Sequence, residues 1–207
     1  MFEKKLTAQT PARPAVQRRG MERRRAILDA AEELLAEQGY EAATLKAVSE
    51  RAGIPIASMY HYFSDRHQVD AELLRRHLQA VEELLATVLE HSELPTTLRD
   101  AADVVIDPMR DYFRTHRSCV ELWFARRNEI VSALVREFDA AQVERLWRLL
   151  VERGLLPADT PRHVLQLAFE VGNRLFDIAY RQSPIGDDVT IDEARRMVTA
   201  YLETYTV

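Results

Sequence analysis

Residues 44–63, TLKAVSERAGIPIASMYHYF, decide the fold. Thr44 is placed to cap a helix by accepting a hydrogen bond from a backbone N–H that would otherwise go unpaired. Val48 and Ala52, four apart, share one face of that helix. Gly53 ends it, because the residue after a helix commonly needs φ > 0, which glycine adopts at little cost. Ile54 follows as an inward anchor. Pro55 suits the first turn of a second helix, where its missing N–H matters least. Met59 and Phe63 give the second helix a buried side. Ser49, four before Gly53, is the small residue where two helices can cross. A glycine-turned pair of short helices is the helix-turn-helix arrangement. Lys46, Ile56, Ala57, Ser58, Tyr60 and His61 are left outside, short or hydrogen-bonding groups that fit a major groove about 12 Å wide. They also fit an ordinary helical hairpin whose tyrosine and histidine merely cover the core.

The rest of the chain reads as helical. Of 207 residues 47% are apolar and 29% charged, the proportions of an ordinary soluble protein. Only six glycines and no period-two stretch argue for an all-α fold. A single cysteine, Cys119, excludes an intrachain disulfide and a cysteine zinc site, and fits a reducing cytoplasm. The opening MFEKKLTAQT lacks the apolar core of a signal peptide. No run approaches the ~18 apolar residues that span a bilayer. A cytoplasmic protein without membrane association is expected. The net charge of −5 is unevenly spread. Residues 1–25 carry eight basic against two acidic side chains, and residues 67–207 carry 17 against 24. A basic end on an acidic body suits nucleic-acid contact at one end only.

In chain order, residues 1–21 read as a flexible basic arm. The first helix spans Glu22 to Gln38, and Gly39 stops it. Tyr40 closes the three-helix core with Phe63. Ser64 or Asp65 caps a long fourth helix ending near His91. Further helices follow from about Thr96 to His116, Arg117 to Arg127, Arg153 back to a cap at Asn128, Pro161 to Gln182, and Ile191 to Tyr205. That makes nine helices. The domain boundary falls inside the fourth helix, with 22–66 below it and 67–207 beyond.

The stretch resembles the TetR family of transcriptional regulators. Thr44, Lys46, Ala52-Gly53-Ile54, Met59-Tyr60-His61-Tyr62-Phe63 and Arg66 stand where the family pattern has them, over about residues 22–70. The resemblance implies an N-terminal helix-turn-helix DNA-binding domain and a C-terminal helical ligand-binding and dimerisation domain. By position it implies DNA contacts from Thr44, Lys46, Ile56, Ala57, Ser58, Tyr60, His61 and Arg66. Pro55-Ile56-Ala57 stands where many members have a basic residue, so base contacts here would be largely apolar, for example to thymine methyls.

The eighth helix is apolar around most of its girth and needs neighbours on all sides. With the last helix it is expected to form a four-helix homodimer interface through Val164, Ala168, Val171, Gly172, Leu175, Met197, Val198, Tyr201 and Tyr205, as the resemblance also implies. Aromatic area concentrates on the intervening helices among a few polar groups. For any one of these residues plain core remains an open reading. With the resemblance, the group implies a small-molecule pocket built from Met109, Phe113, His116, Trp123, Arg127, Trp147, Phe169, Asn173 and Phe176, for a largely apolar or aromatic effector. No cofactor or metal is expected. An enzyme finds no support: HExxH, P-loop and GxSxG motifs are absent, and His61 and His67, six apart, do not converge on a helix. A protein-interaction adaptor using the helix-turn-helix without DNA is the other rival. The expected function is an operator-binding regulator, a repressor released by its ligand.

Overall fold

The computed structural model describes residues 13–91, 95–124 and 129–206. Among these it contains nine α-helices and no strand: α1 Arg13–Gln38, α2 Leu45–Ala52, α3 Ile56–Met59, α4 Arg66–His91, α5 Leu98–Thr115, α6 Arg117–Trp123, α7 Glu129–Glu152, α8 Arg162–Gln182 and α9 Asp188–Glu203. The all-α expectation holds, with differences at helix ends. The segment expected to be a flexible arm is helical from Arg13. Pro14 falls in a first turn, where no N–H is needed, and the Gln-Arg-Arg…Met-Glu-Arg run that follows is made of good helix formers. Residues 1–12 of that arm lie outside the described residues, as do Arg127 and the expected cap Asn128. The last helix begins at Asp188 rather than Ile191, because Asp187 caps it by accepting from Thr190 N–H at 2.8 Å.

The turn that opens the argument forms as its residues dictate. Thr44 Oγ1 accepts from Ala47 N–H at 3.2 Å. Gly53 takes φ 64°, ψ 25°, and Ile54 N–H returns to Ser49 O at 3.1 Å. Ser49 does more than stay small. Buried between α2 and the turn, its hydroxyl donates to Ile54 O at 2.6 Å and fixes the exit direction toward α3. Met59 and Phe63 are fully enclosed against Ile27, Leu28, Leu35 and Val48. Asp65 then starts α4 by accepting from Gln68 N–H at 3.0 Å, while Gln68 Oε1 accepts from Ser64 N–H at 3.0 Å. This is a reciprocal cap.

α4 belongs to both ends of the molecule. Val69, Leu73 and Leu74 close the core under α1–α3, and Val81 and Leu85 continue the same apolar cluster among α5, α6 and α7. A second cluster joins the start of α5, the end of α7, the start of α8 and the end of α9 through Leu98, Leu150, Val164, Leu165 and Leu202. α8 and α9 lie side by side along their lengths.

Two left-handed glycines separate backbone strain from crowding. A Cβ on Gly53 would meet nothing within 4 Å, whereas on Gly186 it would lie 2.9 Å from Tyr180 Cζ and 3.0 Å from Ile191 Cδ1. Gly53→Ala should cost about 1 kcal/mol, a melting temperature lower by roughly 2–4 °C. Gly186→Ala should lower it clearly further, since overpacking adds about 1–3 kcal/mol. Circular-dichroism melts of the two variants check the order.

Candidate functional site

Three surfaces carry the chemistry expected from the sequence. The first is the outer side of the helix-turn-helix. Thr44, Lys46, Ile56, Ala57, Tyr60 and His61 are exposed and Ser58 is half-buried. Ile56 shows 39% and Tyr60 57% of its area, high values for large apolar or aromatic groups three and one positions from buried Met59. Lys46 reaches only Glu50, at 3.9 Å, and stays solvated. Arg66 does not join them. Its guanidinium lies 3.7 Å over the Tyr40 ring, donates to Tyr40 O and stands 3.6 Å from Asp70. Asp70 is buried and also accepts from Tyr40 Oη at 2.9 Å. Burial holds the Asp70 carboxyl above the usual carboxylate range. Burial, with the Asp70 charge beside it, pushes Tyr40 up to about 12. Arg66 therefore locks the α1–α2 loop onto α4, a correction to its expected place among the outward-facing residues. The reason is local: a carboxylate one turn on and an aromatic ring within reach hold the guanidinium better than solvent does.

The second is a cavity of about 80 Å³ enclosed by α4, α5, α6, α7, α8 and α9. Met109, Phe113, Trp123, Phe169, Asn173 and Phe176 line it, as the sequence led us to expect. Phe113 makes edge-to-face contacts with both Trp123 and Phe176, at 5.3 and 6.1 Å between centroids. Two expected residues are elsewhere. His116 stacks on Tyr112 at 4.0 Å, at the corner between α5 and α6. Trp147 packs against the second cluster, donates from Nε1 to Thr160 O at 2.8 Å and carries Arg162 at 3.6 Å over its ring. His116 thus sits in the joint between two lining helices, and Trp147 sits on a lining helix but on the wrong face. Arg127 lies outside the described residues.

Asp139 and Gln142 line the cavity and were not foreseen. The signal existed: on α7 the inward stripe of Val135, Phe138 and Leu146 continues through positions 139 and 142, so those two polar residues interrupt an apolar face. Asn173 Nδ2 donates to Asp139 Oδ2 at 2.7 Å. Burial, aided by the charge of Glu170, raises Asp139 to about 7. The indole Nε1 of Trp123 and the Nε2 of Gln142 are buried and find no hydrogen-bond partner among the described residues.

α6 ties this cavity to the helix-turn-helix. Trp123 closes its cavity end, and two residues earlier Glu121 Oε2 accepts from Tyr40 N–H at 3.0 Å. Ser118, on the same helix, meets His77 Nε2 at 3.1 Å, and His77 Nδ1 meets Tyr112 Oη at 2.9 Å.

The third surface is the outer face of α8 and α9. Leu167, Val171 and Met197 are exposed at 49%, 38% and 51%, and Leu175, Tyr201 and Tyr205 are half-buried. Val164 and Ala168 are buried within the protomer, and Val198 packs against the same clusters. Gly172 turns toward Val198. These four fasten α8 to α9 and do not face outward. Leu167 belongs on the outward face instead. A helix apolar all round shows that it is covered on all sides, not which side its own chain covers.

Comparison with known proteins places this arrangement. Residues 27–72 match the family model described as bacterial regulatory proteins, tetR family, and residues 97–202 match that of the tetracyclin repressor-like C-terminal domain. The chain belongs to the TetR family. It is 27% identical to the HTH-type transcriptional repressor KstR2 of Rhodococcus jostii, over 82% of this chain and 84% of that protein. It is 26% identical to the HTH-type transcriptional regulator BetI of Rhizobium meliloti, over 88% and 92%. The crystal structure of a TetR-family regulator from Streptomyces coelicolor is 33% identical and superposes with a TM-score of 0.65, covering 88% of this chain and 99% of that one. As a TetR-family member this protein is a DNA-binding transcriptional regulator of a family that acts as dimers and responds to small molecules. No helix among the described residues is long and apolar enough to cross a membrane.

The raised Asp139 carboxyl has a signature in stability. Below about pH 4 the group is protonated whether folded or unfolded. As pH rises toward about 7 the unfolded chain gives up the proton while the folded chain keeps it, so stability falls through that window. Asp139→Asn removes the effect. Its melting temperature should gain on the wild type between about pH 5 and about pH 8, read by calorimetry across the series.

Proposed function

We propose that the protein is a homodimeric repressor that leaves its operator when a small, largely apolar molecule enters the cavity beside Trp123. In this reading a basic N-terminal segment (1–21) precedes a DNA-binding unit (22–66), and residues 67–207 bind ligand and dimerise. The protein acts in the cytoplasm, where its operator is, and catalyses nothing. The repressor relatives support the sign of the regulation.

One observation carries the mechanism. α6 has only seven residues, with the cavity wall Trp123 at one end and Glu121 bonded to the α1–α2 loop beside it. A rigid separation of about half a helical turn passes a displacement of the indole on to Tyr40. α4, which lines the cavity through Leu85, carries the rest. A ligand that prefers the displaced conformer shifts the population toward it, by no more than its difference in affinity for the two states.

DNA contact is assigned to Thr44, Lys46, Ile56, Ala57, Ser58, Tyr60 and His61. Lys46, Tyr60 and His61 would touch phosphates, and Ile56 and Ala57 base edges. Two such surfaces must be held one helical turn apart, about 34–36 Å. The outer face of α8 and α9 is the surface for the dimer, centred on Leu167, Val171, Leu175 and Met197.

Gel mobility shift on the DNA upstream of the protein's own gene tests the whole reading. A shift that an apolar ligand abolishes is expected, and no shift at low salt would assign the fold to a protein-interaction adaptor. Lys46→Ala should weaken binding on any operator and reduce the slope of log affinity against log salt by about 1. Arg66→Ala should instead lower the melting temperature and leave that slope unchanged. Val171→Glu with Met197→Glu should give a monomer in sedimentation and abolish the shift, with a helical circular-dichroism spectrum retained.

A further inference from the structure

The cavity itself limits what can bind in it. Its wall is almost wholly hydrocarbon, with five aromatic rings from Phe113, Trp123, Phe138, Phe169 and Phe176. Its volume of about 80 Å³ is roughly half that of a hydrocarbon-lined cavity that admits benzene, about 150 Å³, so a ligand no larger than one small ring suits it. Among the described residues the only ionisable group in the wall is Asp139.

The polar groups that remain point one way. Trp123 and Gln142 are more than nine-tenths buried, and Nε1 of the one and Nε2 of the other are donors without acceptors among the described residues. A buried donor left unpaired costs about 1–3 kcal/mol, which a ligand acceptor would recover. Asn173 already gives its amide to Asp139. The Asp139 carboxyl, raised to about 7 by burial and by Glu170, still carries its proton on a large share of molecules at neutral pH and in that form offers a further donor. An anionic ligand would meet no described cation in the wall and would face this acid. A cationic ligand could pair with ionised Asp139 but would leave the indole and amide N–H groups unpaired.

We infer that the effector is an uncharged molecule of one small ring whose polar group is a hydrogen-bond acceptor, such as a ketone carbonyl, received by Gln142 and Trp123. The inference rests on the reading of this cavity as the effector site, and the test separates the two.

Four molecules that share one six-membered ring provide it: cyclohexane, cyclohexanone, cyclohexylamine and cyclohexanecarboxylic acid. Their binding to the full chain is measured by isothermal titration calorimetry at neutral pH. The ketone should bind tightest, about tenfold tighter than cyclohexane, the worth of one recovered hydrogen bond. Gln142→Leu should bring ketone and cyclohexane close to parity while cyclohexane keeps its wild-type affinity, an outcome that a merely destabilised fold would not give. Tighter binding of the amine or of the acid overturns the inference, as does parity of ketone and cyclohexane in the wild type, and in each case the cavity stands as a binding site. Failure of all four to bind overturns the cavity reading and the inference with it.

Discussion

A single unbroken helix that enters two parts of the core constrains this molecule more than any other feature. α4 is 26 residues long, about 39 Å at the usual helical rise. Its first turns carry Val69, Leu73 and Leu74 into the core beneath the reading helices, and Val81 and Leu85 carry the same face to the cavity. Neither end can be repacked alone, because close-packed interiors resist displacement of a single side. The hydrophobic cluster therefore runs unbroken from the helix-turn-helix to the cavity, and in the proposed mechanism tilting α4 is the cheap deformation that remains.

Polar groups pin that deformation to particular contacts. His77, on α4, is buried between Tyr112 of α5 and Ser118 of α6, with Glu32 of α1 3.7 Å from its Nε2. Burial, helped by His116 and Arg76, drives its pKa down to about 4, so the ring is neutral and bridges by hydrogen bonds, not by charge. Ser118 Oγ also approaches Glu32, at 3.4 Å. Four helices thus share one set of buried partners. Breaking the set leaves a polar group unpaired in low dielectric, so the helices gain by moving together. Arg66, Tyr40 and Asp70 do the same work nearer the reading helices.

The parts of this design that are local could be read from the sequence. Thr44, Gly53 and the Met59–Phe63 pair determine their own turn and their own buried side, because caps, left-handed glycines and four-residue spacing act within a few residues. The nine helices follow for the same reason. What failed depended on a neighbour distant in the chain. Arg66 stands where a phosphate contact was expected, but Tyr40, 26 residues earlier, supplies a ring and a carbonyl. Val164 and Ala168 look like interface residues until α9 and the end of α7 cover them. His116 and Trp147 have the composition of a pocket, but the one sits in a joint between helices and the other has the wrong azimuth. Asp139 and Gln142 erred in the other direction: judged singly, a polar residue on a long helix reads as solvated, and only its position within an apolar stripe says otherwise.

That last error bears on how the two ends communicate. The cavity meets α7 through Asp139 and Gln142 and meets α6 through Trp123, and of these two helices only α6 bonds to the α1–α2 loop among the described residues. A ligand filling hydrocarbon space uniformly would favour neither conformer, since burial is non-directional and roughly proportional to area. Discrimination between conformers needs a contact whose geometry one state offers and the other does not. The unpaired indole N–H of Trp123 is such a contact, directional and carried on the helix that reaches Tyr40. In the proposed mechanism hydrophobic burial then supplies affinity, and a hydrogen bond at Trp123 would supply the preference that turns occupancy of the cavity into movement of the reading helices.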